Sequence, residues 1–144
     1  MAHNESITLD EFVKKYRITM VCQPTGTNPC FEGVQVGGRR IDFDHWRVVL
    51  RRGDHQMTVY FSMGPGYAGK PPEIAMVLDA LASDVATYEN TKDFDEWLYE
   101  YGYEEEDKKK ATKIYRNIVR QAKSLLRLLG EEGYENLLWN TEAL

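Results

Sequence analysis

The chain is 144 residues long, with 42% hydrophobic and 28% charged residues, the balance of a globular domain that can bury a core without staples. Its formal net charge is -5, and no apolar run approaches the roughly 18–20 residues that span a bilayer. A helical membrane span is excluded, the polar N-terminus lacks a signal-peptide pattern, and a cytoplasmic location is expected.

Taken in chain order, Thr8 and Glu11 have capping-box spacing, and Leu9, Phe12, Val13 and Tyr16 form one apolar face, which predicts a helix over 8–16. Ile18, Met20 and Cys22 alternate with Thr19, Val21 and Gln23, the pattern of a strand ended by Pro24. Residues 24–42 hold Gly, Pro, Asn and Arg-Arg without periodicity and read as a long loop. Arg52-Gly53-Asp54-His55 then offers a two-residue turn of the primed kind. If Arg52 faces His55, the pairs Leu50–Met57, Val48–Val59 and Trp46–Phe61 are all apolar and share one face. Arg51–Gln56, Val49–Thr58 and Arg47–Tyr60 take the other.

Four helices are predicted after this hairpin. Pro71-Pro72 opens the first, with Ile74, Val77, Leu78, Leu81 and Val85 as its buried stripe. Asp93 caps the second, Phe94, Trp97, Leu98 and Tyr101 follow helical spacing, and Gly102 stops it. The third runs from 106 to 129, burying Ile114, Ile118, Val119, Ala122, Leu125 and Leu129, and ends at Gly130. The fourth spans 131–141, with Tyr134, Leu137 and Leu138 turned inward. The expectation is therefore one α+β domain over 1–144, β-rich over 1–64 and helical over 71–142. A small antiparallel sheet built on the 45–63 hairpin packs with an N-terminal helix and four C-terminal helices.

No motif in the chain specifies catalysis. The run Gly64-Pro65-Gly66-Tyr67-Ala68-Gly69-Lys70 fits a phosphate loop in outline, but Pro71 stands where such loops carry the Mg²⁺-binding Ser or Thr. Pro71 and Pro72 also remove N–H groups where a phosphate would bind. His3, His45, His55, Cys22 and Cys30 lack metal-ligand spacing, so no metal and no cofactor is expected, and the two cysteines read as free thiols. Asp79 and Asp84 fall about 140° apart on a helix and do not converge. The expectation is a protein that is not an enzyme.

Charge segregation is the strongest signal. From Glu89 to Asp107 there are nine acidic residues against Lys92, and from Lys108 to Arg127 there are eight basic residues and no acid. Lys109, Lys113, Arg116, Arg120, Lys123 and Arg127 follow steps of three and four, which lines them along one helix face. This row reads first as a solvated face neutralised by the acidic segment or by Glu131, Glu132 and Glu135. The alternatives are a phosphate-binding helix and a docking surface for an acidic protein. Arg47, Arg51 and Tyr60 share the outer hairpin face, an aromatic–basic mixture that can clamp single-stranded nucleic acid but that a helix or loop more commonly covers. Asp93, Glu96, Glu100, Glu104, Glu105, Glu106 and Asp107, with Tyr99 and Tyr103 among them, either solubilise a helix or mimic a run of phosphates.

The chain also resembles a widespread family of small proteins encoded by bacteriophages and integrated mobile elements. The resemblance rests on Asp44-His45-Trp46, Leu50-Arg51-Arg52-Gly53, Gln56-Met57-Thr58-Val59 and Phe61-Ser62-Met63-Gly64. It continues in Val77-Leu78-Asp79, Leu81-Ala82-Ser83-Asp84, Glu89-Asn90, Phe94 to Trp97 and Glu100-Tyr101-Gly102-Tyr103, and closes with Leu128-Leu129-Gly130 and Leu137-Leu138-Trp139. It covers most of the chain from Ile18 onward, treats 32–41 as a variable insertion, and carries over no catalytic residue. By analogy of genomic setting, it implies an accessory protein that inhibits a host nucleic-acid-handling complex, such as a CRISPR effector, by stoichiometric binding. On that expectation the acidic 93–107 segment is the leading contact surface. The alternative is direct DNA or RNA binding through the basic helix, which the pI near 5.2 opposes and a local stripe can override. Self-association through the two charged faces is a further candidate.

Overall fold

A computed structural model describes residues 7–26, 34–36, 39–41, 45–63 and 69–142. The first helix, α1 (Leu9–Tyr16), forms because its capping box closes: the Thr8 hydroxyl accepts from the Glu11 N–H at 3.1 Å, and Glu11 Oε1 accepts from the Thr8 N–H at 3.0 Å. It buries Leu9, Phe12 and Tyr16. Ahead of it, the two-residue strand β1 (Ile7–Thr8) pairs in parallel with β7 (Thr141–Glu142), a closure of distant segments that local pattern did not signal.

Strands β2 (Thr19–Gly26), β5 (His45–Arg52) and β6 (His55–Ser62) make a three-stranded antiparallel sheet in the order β2-β5-β6. The β5–β6 register sets Arg52 against His55, Leu50 against Met57, Val48 against Val59 and Trp46 against Phe61, as turn and alternation predict. Gly53 sits at φ +60°, the left-handed conformation that the first turn position demands. Two expectations are corrected here. Pro24 does not end β2: it pairs with Trp46, and the register shifts only between Pro24 and Gly26. β2 is an edge strand, where a missing N–H costs nothing if it faces outward. The predicted loop over 24–42 also contains a strand pair, β3 (Val34–Val36) with β4 (Arg39–Ile41).

The helical part begins with α2 (Ile74–Thr91), whose N-cap is Glu73. Pro71 and Pro72 thus precede the helix instead of forming its first turn. Next comes α3 (Phe94–Glu100), capped by Asp93 Oδ1, which accepts from the Glu96 N–H at 3.0 Å. A 3₁₀ turn (Glu105–Asp107) leads into α4 (Lys108–Glu135). Gly130, at φ 76° and ψ 171°, interrupts α4, so the predicted break holds; a π-helical turn (Asn136–Asn140) completes the final segment.

The main core packs Leu9 and Phe12 of α1, Val48, Leu50, Met57 and Val59 of the sheet, Val77, Leu78, Leu81 and Val85 of α2, and Leu125, Leu128 and Leu129 of α4. A second cluster joins Trp97 and Leu98 to Ala111 and Ile118, with Tyr88, Phe94, Tyr103 and Tyr115 around them. Trp97 stacks on Tyr103 at 5.2 Å between ring centres, and its indole N–H donates to the Thr87 hydroxyl at 3.0 Å. Ile114 lies 36% exposed and Val119 is half-buried, a correction to the predicted stripe. The buried line of α4 runs through Ala111, Ile118, Ala122, Leu125 and Leu129; Ile114 keeps the same spacing of three and four and is nonetheless exposed. Arg52 ties the hairpin to α4 by donating to the Leu128 carbonyl at 3.2 Å. Among the described residues, no helix is long and apolar enough to cross a membrane.

Beyond the break, the Tyr134 phenol donates to Glu89 Oε2 on α2 at 2.6 Å. Burial first, and then that carboxylate, hold the phenol's proton well above the ordinary tyrosine value. The folded state therefore retains a proton that the unfolded chain gives up near pH ~10, so this contribution is complete below that pH and is lost as pH rises beyond it. Tyr134→Phe is expected to cost about 1 kcal/mol at neutral pH from the lost bond and to flatten the alkaline fall in stability. Urea unfolding at a series of pH values from about 8 to 11 measures both effects.

Candidate nucleic-acid interface

α4 is amphipathic in the strict sense that its two faces carry different chemistry. The apolar line is buried, and Lys109, Lys113, Arg116, Arg120, Lys123 and Arg127 are all exposed on the opposite side. At 1.5 Å per residue the row extends about 27 Å. Direct ion pairing with the acidic segment is not seen for this row among the described residues. Among the described residues none of these six cations makes an ion pair; the pairs formed nearby are Lys92–Glu89 at 3.2 Å and Lys108–Glu105 at 3.8 Å. Both are one-turn helix-type contacts, and Glu105 is largely exposed, so the second joins the two clusters only weakly at their boundary. Glu132, one of the candidate counter-ions, instead accepts from the Tyr16 hydroxyl at 3.4 Å.

On one flank of the cation row, α4 and β6 enclose a cleft of about 280 Å³. One wall is Met57–Tyr60, the other Asn117, Arg120, Gln121 and Ser124. Arg120 thus belongs both to the row and to the cleft, and it stands across from Tyr60. The expectation of a cover over this part of the hairpin is corrected: Tyr60 is 73% exposed and Arg51 is exposed. Arg47, opposite Tyr60 in the register, is half-buried and donates to Gln23 Oε1 at 3.3 Å, which draws it toward β2. Tyr60 and Arg120 thus border one cleft, and Tyr60 shares its face of the sheet with Arg47 and Arg51. Gln121 escaped the sequence reading; its Oε1 is buried in the cleft wall without a hydrogen-bond partner among the described residues. On the other flank, Tyr115 and Val119 line a broader hollow with Lys113, Arg116 and Arg120.

The acidic residues form a separate surface. Asp93 is spent on the α3 cap, whereas Glu96, Glu100, Glu104, Glu105, Glu106 and Asp107 are exposed. Tyr99 rises among them at 87% exposure, and Tyr103 is instead drawn onto Trp97. The phosphate-loop outline fails on what is visible: Glu73 occupies the N-cap of α2, where its carboxylate would repel a phosphate, and the sheet is antiparallel throughout. Its residues 64–68 lie outside the described residues. So do His3 and Cys30; Cys22 is a free thiol whose pKa burial raises, the wrong direction for a nucleophile. Among the described residues no three His, Cys, Asp or Glu side chains gather as a metal site.

Comparison with protein-family models, curated proteins and solved structures finds no match, and the resemblance to bacteriophage and mobile-element proteins receives no support from it.

Like charges three and four residues apart repel. Added salt should therefore stabilise the protein, and Arg116→Gln with Arg120→Gln should raise stability at low salt by a few tenths of a kcal/mol while shrinking the salt response. Urea unfolding of both proteins at low and moderate NaCl reads the difference.

Proposed function

We propose that the chain is a non-enzymatic nucleic-acid-binding protein that works through the α4 face. The observation that carries this reading is the exposed six-cation row without internal ion pairs among the described residues. Phosphate binding supplies what this row lacks, since counterions released by neutralised phosphates drive association whatever the net charge of the protein. The net charge of -5 opposes approach, but its acidic residues lie on α3 and the 3₁₀ turn, ahead of the row along the chain, and leave the row itself purely cationic. A mobility-shift titration at several salt concentrations tests the reading. A salt-sensitive shift is expected, with a log–log slope no steeper than about -5 for six contacts. Arg116→Glu with Arg120→Glu should abolish it; an undiminished shift would remove α4 from the proposal.

A second reading is favoured by the acidic surface, where Tyr99 and five or more carboxylates stand exposed. This arrangement suits a basic groove on a nucleic-acid-handling protein, including a CRISPR effector, and would make the chain a stoichiometric inhibitor. Reversing Glu104, Glu105, Glu106 and Asp107 to lysine is expected to eliminate capture of such a complex with unfolding unchanged. Retained inhibition would discard this surface.

A further inference from the structure

We infer that the preferred ligand is single-stranded and that one unstacked base enters the β6–α4 cleft, an inference that rests on nucleic-acid binding by α4. Three independent features converge on that cleft. The first is the open edge of β6, which among the described residues pairs with β5 alone. In a two-residue hairpin the residues flanking the turn exchange both backbone bonds, and bonded pairs then alternate. Arg52–His55, Leu50–Met57 and Val48–Val59 are therefore the bonded pairs, and the N–H and C=O groups of Thr58 and Tyr60 point away from β5 toward the cleft. The second is Gln121 on the opposite wall, whose Oε1 is withdrawn from solvent without a hydrogen-bond partner among the described residues. Unpaired buried acceptors are rare because each carries a desolvation cost, and a base edge with its N–H groups would satisfy this one once the Gln121 side chain turns into the cleft. The third is Tyr60, a lining residue of the cleft that is 73% exposed, with Arg120 on the opposite wall.

Together these supply the parts of base recognition: a ring to stack on, an acceptor and outward backbone groups for the base edge, and a cation row for the phosphates on either side. A duplex cannot use the cleft, because its bases are already stacked and paired. A single strand offers every base face to Tyr60, so recognition should tolerate sequence.

The test is fluorescence anisotropy with labelled oligonucleotides of about 12 nucleotides, as single-stranded DNA, single-stranded RNA and duplex DNA, beside a polyglutamate peptide of similar length. Single strands should bind tighter than duplex. Tyr60→Ala should weaken single-strand binding about tenfold, leave duplex binding unchanged, and be rescued by Tyr60→Phe. Because Tyr60 is mostly exposed, the substitution should not disturb folding, which circular dichroism checks. Duplex preference, or a Tyr60→Ala variant with unaltered single-strand binding, overturns the inference while leaving the α4 reading intact. Polyglutamate bound as tightly as the single strands would assign the cleft to an acidic protein segment. Absence of binding to any nucleic acid would overturn both readings at once.

Discussion

Burial of one line of α4 side chains governs the rest of the molecule. Ile118, Ala122, Leu125 and Leu129 are withdrawn from water against the sheet, α2 and the aromatic cluster, and each buried leucine is worth on the order of 2 kcal/mol. That burial fixes the rotation of the helix about its axis. Once the rotation is set, the six cations have nowhere to lie but in solvent, and Asn117, Gln121 and Ser124 must border β6. The repulsion along the row is tolerated because the opposite face is anchored so firmly.

How much of this could be read beforehand depended on the range of the interaction involved. The hairpin was legible to the residue, because Gly53 fixes the turn and a period of two then assigns every pair from Trp46 to Phe61. The caps at Thr8 and Asp93 and the break at Gly130 were legible for the same reason: each is a contact or backbone constraint within a few residues. Pro24 misled because a proline reads as a terminator unless one knows that its strand lies at an edge. Pro71 and Pro72 misled in the reverse sense, by looking like a first helical turn. Whether acids and bases pair across the molecule is a matter of distance between elements, and spacing along a chain does not contain it. The convergence of Tyr60 and Arg120 on one cleft is of that kind. Gln121 carried no signal at all, since a polar residue in mid-helix is unremarkable until its neighbours are known.

The break at Gly130 has a structural role beyond ending a helix. It redirects the last segment so that Tyr134 reaches Glu89 on α2 and Asn136 donates to the Tyr16 hydroxyl on α1. Gly133 lies against Tyr16, with room for no more than a hydrogen atom beside Leu129. These contacts, with the β1–β7 pairing, close the early and late parts of the chain around the sheet without touching the cation row. Closure and the charged face are thus built from different residues, and changes to one need not unsettle the other.

The separation of charge along α4 makes the molecule an electric dipole as well as a net anion. Carboxylates crowd the 3₁₀ turn ahead of the helix and cations follow along it, beginning with Lys108–Lys110 in its first turn, an order set against the helix's own dipole. Near a polyanion the net charge repels but the dipole exerts a torque, turning the cation row forward and the acidic turn away before contact. That torque acts only within about a Debye length, roughly 8–10 Å at physiological salt. Approach is therefore unguided until the last Debye length and then strongly oriented, so ionic strength sets the fraction of collisions that arrive with the correct face leading.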